Sequence, residues 1–176
     1  MIKLKNRKKG TIYLVQGALI AAVYAAMTYL IQPLSFGPNQ FRFSEALTIL
    51  PALTPAAVPG LTIGCLIANL SSPYGIVDII CGTLATLLAA ICTRLTRNIM
   101  IKRIPVLSPL FPVIFNALIV GAEISYFLPE GFTWAGYAAS ALSVGFGEIV
   151  VCYVLGLPLY AALNKTNVFS YGLAQN

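Results

Sequence analysis

Long uninterrupted apolar runs dominate the chain. Residues 12–32, 76–93, 106–128 and 135–163 are each apolar over about the 20 residues that a helix needs to cross a hydrocarbon layer roughly 30 Å thick. The runs are continuous rather than alternating, so they predict helices and not the strands of a membrane barrel. Residues 44–70, SEALTILPALTPAAVPGLTIGCLIANL, are also apolar but are interrupted by Pro51, Pro55 and Pro59. They read as one kinked span or as two short helices, near 44–53 and 57–70, folded back between them.

Charge separates these two readings. Lys3, Lys5, Arg7, Lys8 and Lys9 precede the first run, Arg94, Arg97, Lys102 and Arg103 lie between 76–93 and 106–128, and Lys165 follows the last run. Basic residues gather on the cytoplasmic side of a membrane protein. With the N-terminus inside, one span over 44–70 would place 94–103 outside, whereas two elements place it inside. The sequence therefore predicts a single all-α domain of six transmembrane helices near 12–32, 44–53, 57–70, 76–93, 106–128 and 135–163, with both termini cytoplasmic. Ten of the eleven basic residues then face the cytoplasm, Arg42 being the exception. The two short helices, at 1.5 Å per residue, barely reach across, so a re-entrant pair is the alternative.

Composition agrees with this placement. The chain of 176 residues is 59% apolar and 9% charged, against roughly 25% charged in soluble domains. The net charge of +6 comes from the membrane-flanking clusters, which argues against nucleic acid as the partner. Cys65, Cys81, Cys92 and Cys152 all fall inside apolar runs without C-x-x-C spacing, and histidine is absent. The cysteines read as small core residues, and no metal site or cofactor is expected. There is no G-x-x-x-x-G-K-[ST] loop, no H-E-x-x-H and no G-x-S-x-G elbow, so no catalytic residues are expected either.

The chemistry must then lie in the few polar side chains inside apolar runs. A charge at a helix centre costs about 2.5–3.5 kcal/mol even on lenient scales, so such residues face a partner or a cavity. Glu45, Asp78, Glu123 and Glu148 lie in or at the edges of the runs, while Glu130 falls in a loop. Arg42 and Glu45, three apart, can form an ion pair at a helix entrance capped by Ser44, or can shape a pocket. Asn116 and Glu123, seven apart, share a helix face, as do Tyr137, Ala141 and Glu148 in the last run. They fit recognition of a ligand rich in N–H donors, or else an interhelical hydrogen-bond network. Asp78 can serve such a site or cap its helix, and Asn69 reads as a cap. Phe36, Phe41, Phe43, Tyr74, Phe132, Trp134 and Tyr137 gather on the predicted outer side, where an interfacial belt accounts for most of them. Ala18, Ala22 and Ala26, with Ala21 and Ala25 beside them, form a small-residue stripe that suits close helix packing, within the chain or against another membrane subunit.

The segments FRFSEALTILPALTPAAVPGLTIGCLIANL, DIICGTLATLLAA and SVGFGEIVVCYVLGLPL, with R-x-SEAL-x-x-LP running from Arg42 to Pro51, resemble the QueT family over roughly residues 12–163. That resemblance implies a substrate-binding S component of an energy-coupling-factor transporter in the cell membrane. It also implies a six-helix fold and a queuosine precursor as substrate, 7-cyano- or 7-aminomethyl-7-deazaguanine. The partners implied are a transmembrane T component, docked on the alanine stripe, and two ATPase subunits. One carboxylate can accept both donors of a guanine-like edge. On this reading Glu123 and Glu148 recognise the ligand and Arg42 and Glu45 shape its pocket. A different nutrient, such as queuine or a B vitamin, is the nearest alternative. A membrane enzyme acting on lipid and a purely structural or channel-like protein are more distant ones.

Overall fold

The computed structural model describes residues 2–35, 41–166 and 168–169, with side chains from Lys9 onward. Phe36, and the side chains of Lys3, Lys5, Arg7 and Lys8, lie outside the described residues. The described residues form helices joined by turns and no strand, only one isolated bridge between Ile101 and Ile104. Helix α1 is Ile2–Leu30, and a single turn, Gln32–Ser35, follows it. A 3-10 helix occupies Phe43–Ala52. Then come α2 (Ala57–Asn69), α3 (Ile76–Leu95), α4 (Leu110–Tyr126) and α5 (Trp134–Thr166). Three segments are long and apolar enough to cross a bilayer: Lys9–Leu30, Ile76–Leu95 and Trp134–Thr166. Helices α2 and α4 are apolar but shorter.

The 3-10 helix is the centre of the bundle. Every residue from Ser44 to Pro51 is buried, and the segment packs against α1, α2, α3 and α5. Ten residues of 3-10 helix are unusual, because the hydrogen bonds are poorer than in an α-helix. Two features favour it here. Pro51 has no N–H for a regular i to i−4 bond, and a rise of about 2.0 Å per residue stretches ten residues to roughly 20 Å, where an α-helix would give about 15 Å. The tighter winding also aligns positions three apart, so Glu45 and Thr48 share a row and the Thr48 hydroxyl donates to the Glu45 carbonyl.

Two helices change form where their polar residues sit. A π-helical turn, Asn116–Val120, interrupts α4 beginning at Asn116. A second, Val150–Gly156, interrupts α5 two residues after Glu148. Such wide turns re-aim side chains and are frequent at functional sites. On the other side of the bundle, α1 meets α2 by direct backbone approach. A Cβ at Gly64 would lie 2.8 Å from the Ala21 carbonyl oxygen and 2.9 Å from Tyr24 Cβ. At Gly60 it would lie 2.7 Å from the Gly17 carbonyl oxygen. Gly60 and Gly64 thus form a small-xxx-small seam. Helix α5 opens cleanly, because Thr133 is extended and its hydroxyl accepts from the Gly136 N–H at 3.0 Å.

Candidate functional site

Six of the seven candidate binding residues are buried: Arg42, Glu45, Asp78, Asn116, Glu123 and Glu148. They come from the 3-10 helix and from α3, α4 and α5. Arg42 lies just before its first turn, Glu45 within it, Asp78 in the first turn of α3, Asn116 and Glu123 on α4, and Glu148 on α5.

One part of this cluster is built on Asp78. Arg42 Nη2 lies 3.7 Å from Asp78 Oδ2, and both side chains are enclosed. Asn69 Nδ2 donates to the Asp78 carbonyl oxygen at 2.9 Å, so Asn69 ties the end of α2 to the start of α3 rather than acting as a simple cap. Gly82, one turn along α3, makes room for all three. A Cβ there would fall 2.5 Å from Asn69 Nδ2, 2.8 Å from Asp78 Oδ1 and 3.6 Å from Arg42 Nη1. Arg42 thus pairs with Asp78 and also feels the charge of Glu45. Its backbone, at φ −89° and ψ 89°, lies just before the helix. Ser44 does not cap the helix either. It is wholly buried against α1, where its hydroxyl meets that of Thr28 at 2.8 Å.

The other part is built on Glu45 and Glu148. The Tyr24 hydroxyl of α1 donates to Glu45 Oε1, with Thr86 and Asn116 beside the same carboxylate. Asn116 Nδ2 donates to Glu148 Oε1 at 2.9 Å, and the Cys152 thiol to Glu148 Oε2 at 3.3 Å. Glu123 lies near Asp78 and Tyr74. The Tyr74 phenol, between α2 and α3, is pushed up by partial burial and by the charges of Glu123 and Asp78.

What the cluster lacks is donors. Among the described residues no hydrogen-bond partner meets Glu45 Oε2, Asn69 Oδ1, Asn116 Oδ1, either oxygen of Asp78 or either oxygen of Glu123. Leaving a buried acceptor unsatisfied costs about 1–3 kcal/mol, and more for a charged group. The group is therefore built to accept, and a ligand that supplies several N–H groups would satisfy it. Two surface cavities of about 180 and 340 Å³ are lined by other residues, Lys9 to Gln16 with Thr54, Pro55 and Phe169 in one, and Gln32, Pro33, Ser71 and Pro73 in the other.

A family model described as QueT transporter matches residues 14–165. The chain belongs to the QueT transporter family. One relative, named Queuosine precursor transporter QueT, from Lactococcus lactis subsp. cremoris (strain MG1363), is 37% identical over 83 residues, which is 46% of this chain and 48% of the relative. The alignment thus spans about half the length of that relative. No solved structure matches. Membership in the QueT transporter family and the apolar helices make this a multi-pass membrane protein.

Several residues of this QueT-family chain sit apart from the cluster. Tyr137 is only half-buried. Its hydroxyl donates to the Leu118 carbonyl at 3.4 Å, and its ring stacks at 6.0 Å on Phe132, which also meets Trp134. That places it in an aromatic patch and not among the carboxylates. The alanine stripe divides. Ala21 and Ala25 are buried in the chain's own seam with α2, whereas Ala18, Ala22 and Ala26 are exposed. Tyr24, Gly82, Thr86 and Cys152 belong to the cluster although sequence patterns did not single them out as binding residues.

Proposed function

We propose that this chain is the substrate-binding subunit of an energy-coupling-factor importer and that its substrate is a queuosine precursor, 7-cyano- or 7-aminomethyl-7-deazaguanine. The observation that carries this reading is the enclosed set of acceptor oxygens without hydrogen-bond partners, among the described residues, on Glu45, Asn69, Asp78, Asn116 and Glu123. A deazaguanine offers the complementary pattern. Its ring N–H and exocyclic NH₂ lie side by side and match a single carboxylate, its pyrrole N–H suits an amide oxygen, and an aminomethyl cation suits a second carboxylate. Its ring carbonyl would take a donor from Arg42, or from Asn116 after a change of partner. The printed name of the Lactococcus relative points to the same substrate class. Ligands without these donors would leave buried oxygens unpaired, which is a strong basis for rejection.

Six crossings with both termini in the cytoplasm fit the basic clusters, and they put Arg42, Asn69, Asp78 and Glu123 toward the outer side. The sequence carries no phosphate-binding loop of its own, so a T component and two ATPase subunits would supply the energy. The exposed face of Ala18, Ala22 and Ala26 is flat enough for such a T component to pack on α1. After binding outside, the whole bundle would topple in the membrane to release its ligand.

The test is uptake in cells that cannot make queuosine. With the chain, a T component and the ATPases all present, supplied precursor should appear as queuosine in tRNA, and omission of the chain should abolish it. Unchanged queuosine without the chain, or uptake of riboflavin or thiamine in its place, would overturn the proposal.

A further inference from the structure

The connection between α3 and α4 carries charge that no carboxylate among the described residues neutralises. Arg94, Arg97, Lys102 and Arg103 lie within ten residues, and no Asp or Glu occurs between Asp78 and Glu123. Among the described residues none of the four pairs with a carboxylate, the ion pair being Arg42 with Asp78. Two of these cations are held in place. Arg94 Nη1 donates to the Pro51 carbonyl at the end of the 3-10 helix at 3.1 Å, and Arg97 Nη1 to the Arg94 carbonyl at 3.1 Å.

The other two occupy a strained turn. Ile101 N–H donates to the Ile104 carbonyl at 2.9 Å and Ile104 N–H to the Ile101 carbonyl at 3.0 Å, which leaves Lys102 and Arg103 as the two central residues. Their φ angles are 50° and 66°. Tight turns with both central residues at positive φ favour Asn-Gly, because a Cβ resists that conformation. Lys and Arg are poor choices for the geometry, and both side chains are exposed, so no contact inside the chain explains them. The turn presents two adjacent cations outward. Beside it stand Leu95, Ile99, Met100 and Ile101, exposed by 74%, 56%, 44% and 64%.

Cations and exposed apolar side chains on one corner match an anionic amphiphile. We propose that this corner, residues 94–103, binds an anionic phospholipid, with the headgroup phosphate at Lys102 and Arg103 and an acyl chain along Leu95, Ile99 and Ile101. Free phosphate would engage the charges and leave the apolar residues unused. The α3 span ends at Leu95, which puts the corner where lipid headgroups lie. This site is separate from the carboxylate cluster and does not depend on the substrate assigned there.

The test uses the full chain purified in detergent, stripped of lipid and titrated with phosphatidylglycerol or phosphatidylcholine under native mass spectrometry. Lys102→Asn combined with Arg103→Gly removes both charges and installs the residues that the turn prefers, so thermal stability should hold or rise. The unaltered chain should retain phosphatidylglycerol well above phosphatidylcholine, and the double variant should bind it roughly tenfold more weakly or worse. Equal retention of the two lipids, or undiminished retention by the variant, would overturn the proposal. So would displacement of the lipid by an equal concentration of glycerol phosphate, which lacks the acyl chains. A variant that keeps its lipid yet loses uptake would assign the corner to a protein partner and overturn it equally.

Discussion

At the scale of single residues, Glu45 shows how a charge is kept inside an apolar bundle. One oxygen accepts from Tyr24 and the other meets no donor among the described residues, so the side chain is half-prepared for a ligand. Asp78 is held by Arg42 at its side chain and by Asn69 at its backbone, and Gly82 supplies the space for both. Replacing Gly82→Ala forces Asn69 or Asp78 to move, because overpacking of this kind costs about 1–3 kcal/mol. We expect the purified variant to bind precursor about tenfold more weakly by calorimetry. Gly10→Ala, where a Cβ meets nothing within 4 Å, should bind normally. The carboxylates were legible in the sequence because an acidic residue in an apolar run needs a partner. Tyr24 and Gly82 were not, since a tyrosine or a glycine in such a run fits ordinary helix packing equally well. Pairing was not legible either. Arg42 and Glu45 are three apart, yet the ion pair that forms at Arg42 reaches across to Asp78 on α3, which spacing along one helix does not show.

At the scale of elements, hydropathy located the apolar helices but not their winding. Apolar length does not separate α from 3-10, and the buried 3-10 helix at Phe43–Ala52 follows from Pro51 and from the distance to be covered. The π turns at Asn116 and after Glu148 leave no mark in periodicity, because one extra residue per turn is lost within a continuous apolar run. Helix α1 presents two faces of small residues, and they should respond differently to bulk. Gly64→Leu inserts a side chain where the α1 backbone already sits, and should lower the melting temperature of the isolated chain clearly, by several degrees for a loss of about 1–3 kcal/mol. Ala22→Leu lies on the exposed face. It should leave melting unchanged while reducing uptake with the complete transporter by at least about tenfold. Fluorescence-monitored melting alongside uptake separates the two. Loss of stability in both variants, or of uptake in neither, would contradict this division of α1.

At the scale of the molecule, the fold turns a set of costly polar residues into one enclosed acceptor surface. Four carboxylates, two carboxamides and one guanidinium converge from the 3-10 helix and from the four helices α2, α3, α4 and α5. The proposed topology gives a direct expectation. Reporter fusions or single introduced cysteines should place residue 130 outside and residue 100 inside, with both termini inside; residue 100 outside would mean that 44–70 crosses only once. The most direct measurement, however, is calorimetry of the purified chain with 7-aminomethyl-7-deazaguanine. The account predicts saturable binding of the precursor and none of riboflavin or thiamine. It also predicts weakening of at least about thirtyfold in Glu45→Gln and in Glu123→Gln, since losing one partner of a buried charged contact costs about 2–5 kcal/mol. No binding of either deazaguanine, or undiminished binding by both variants, would contradict it.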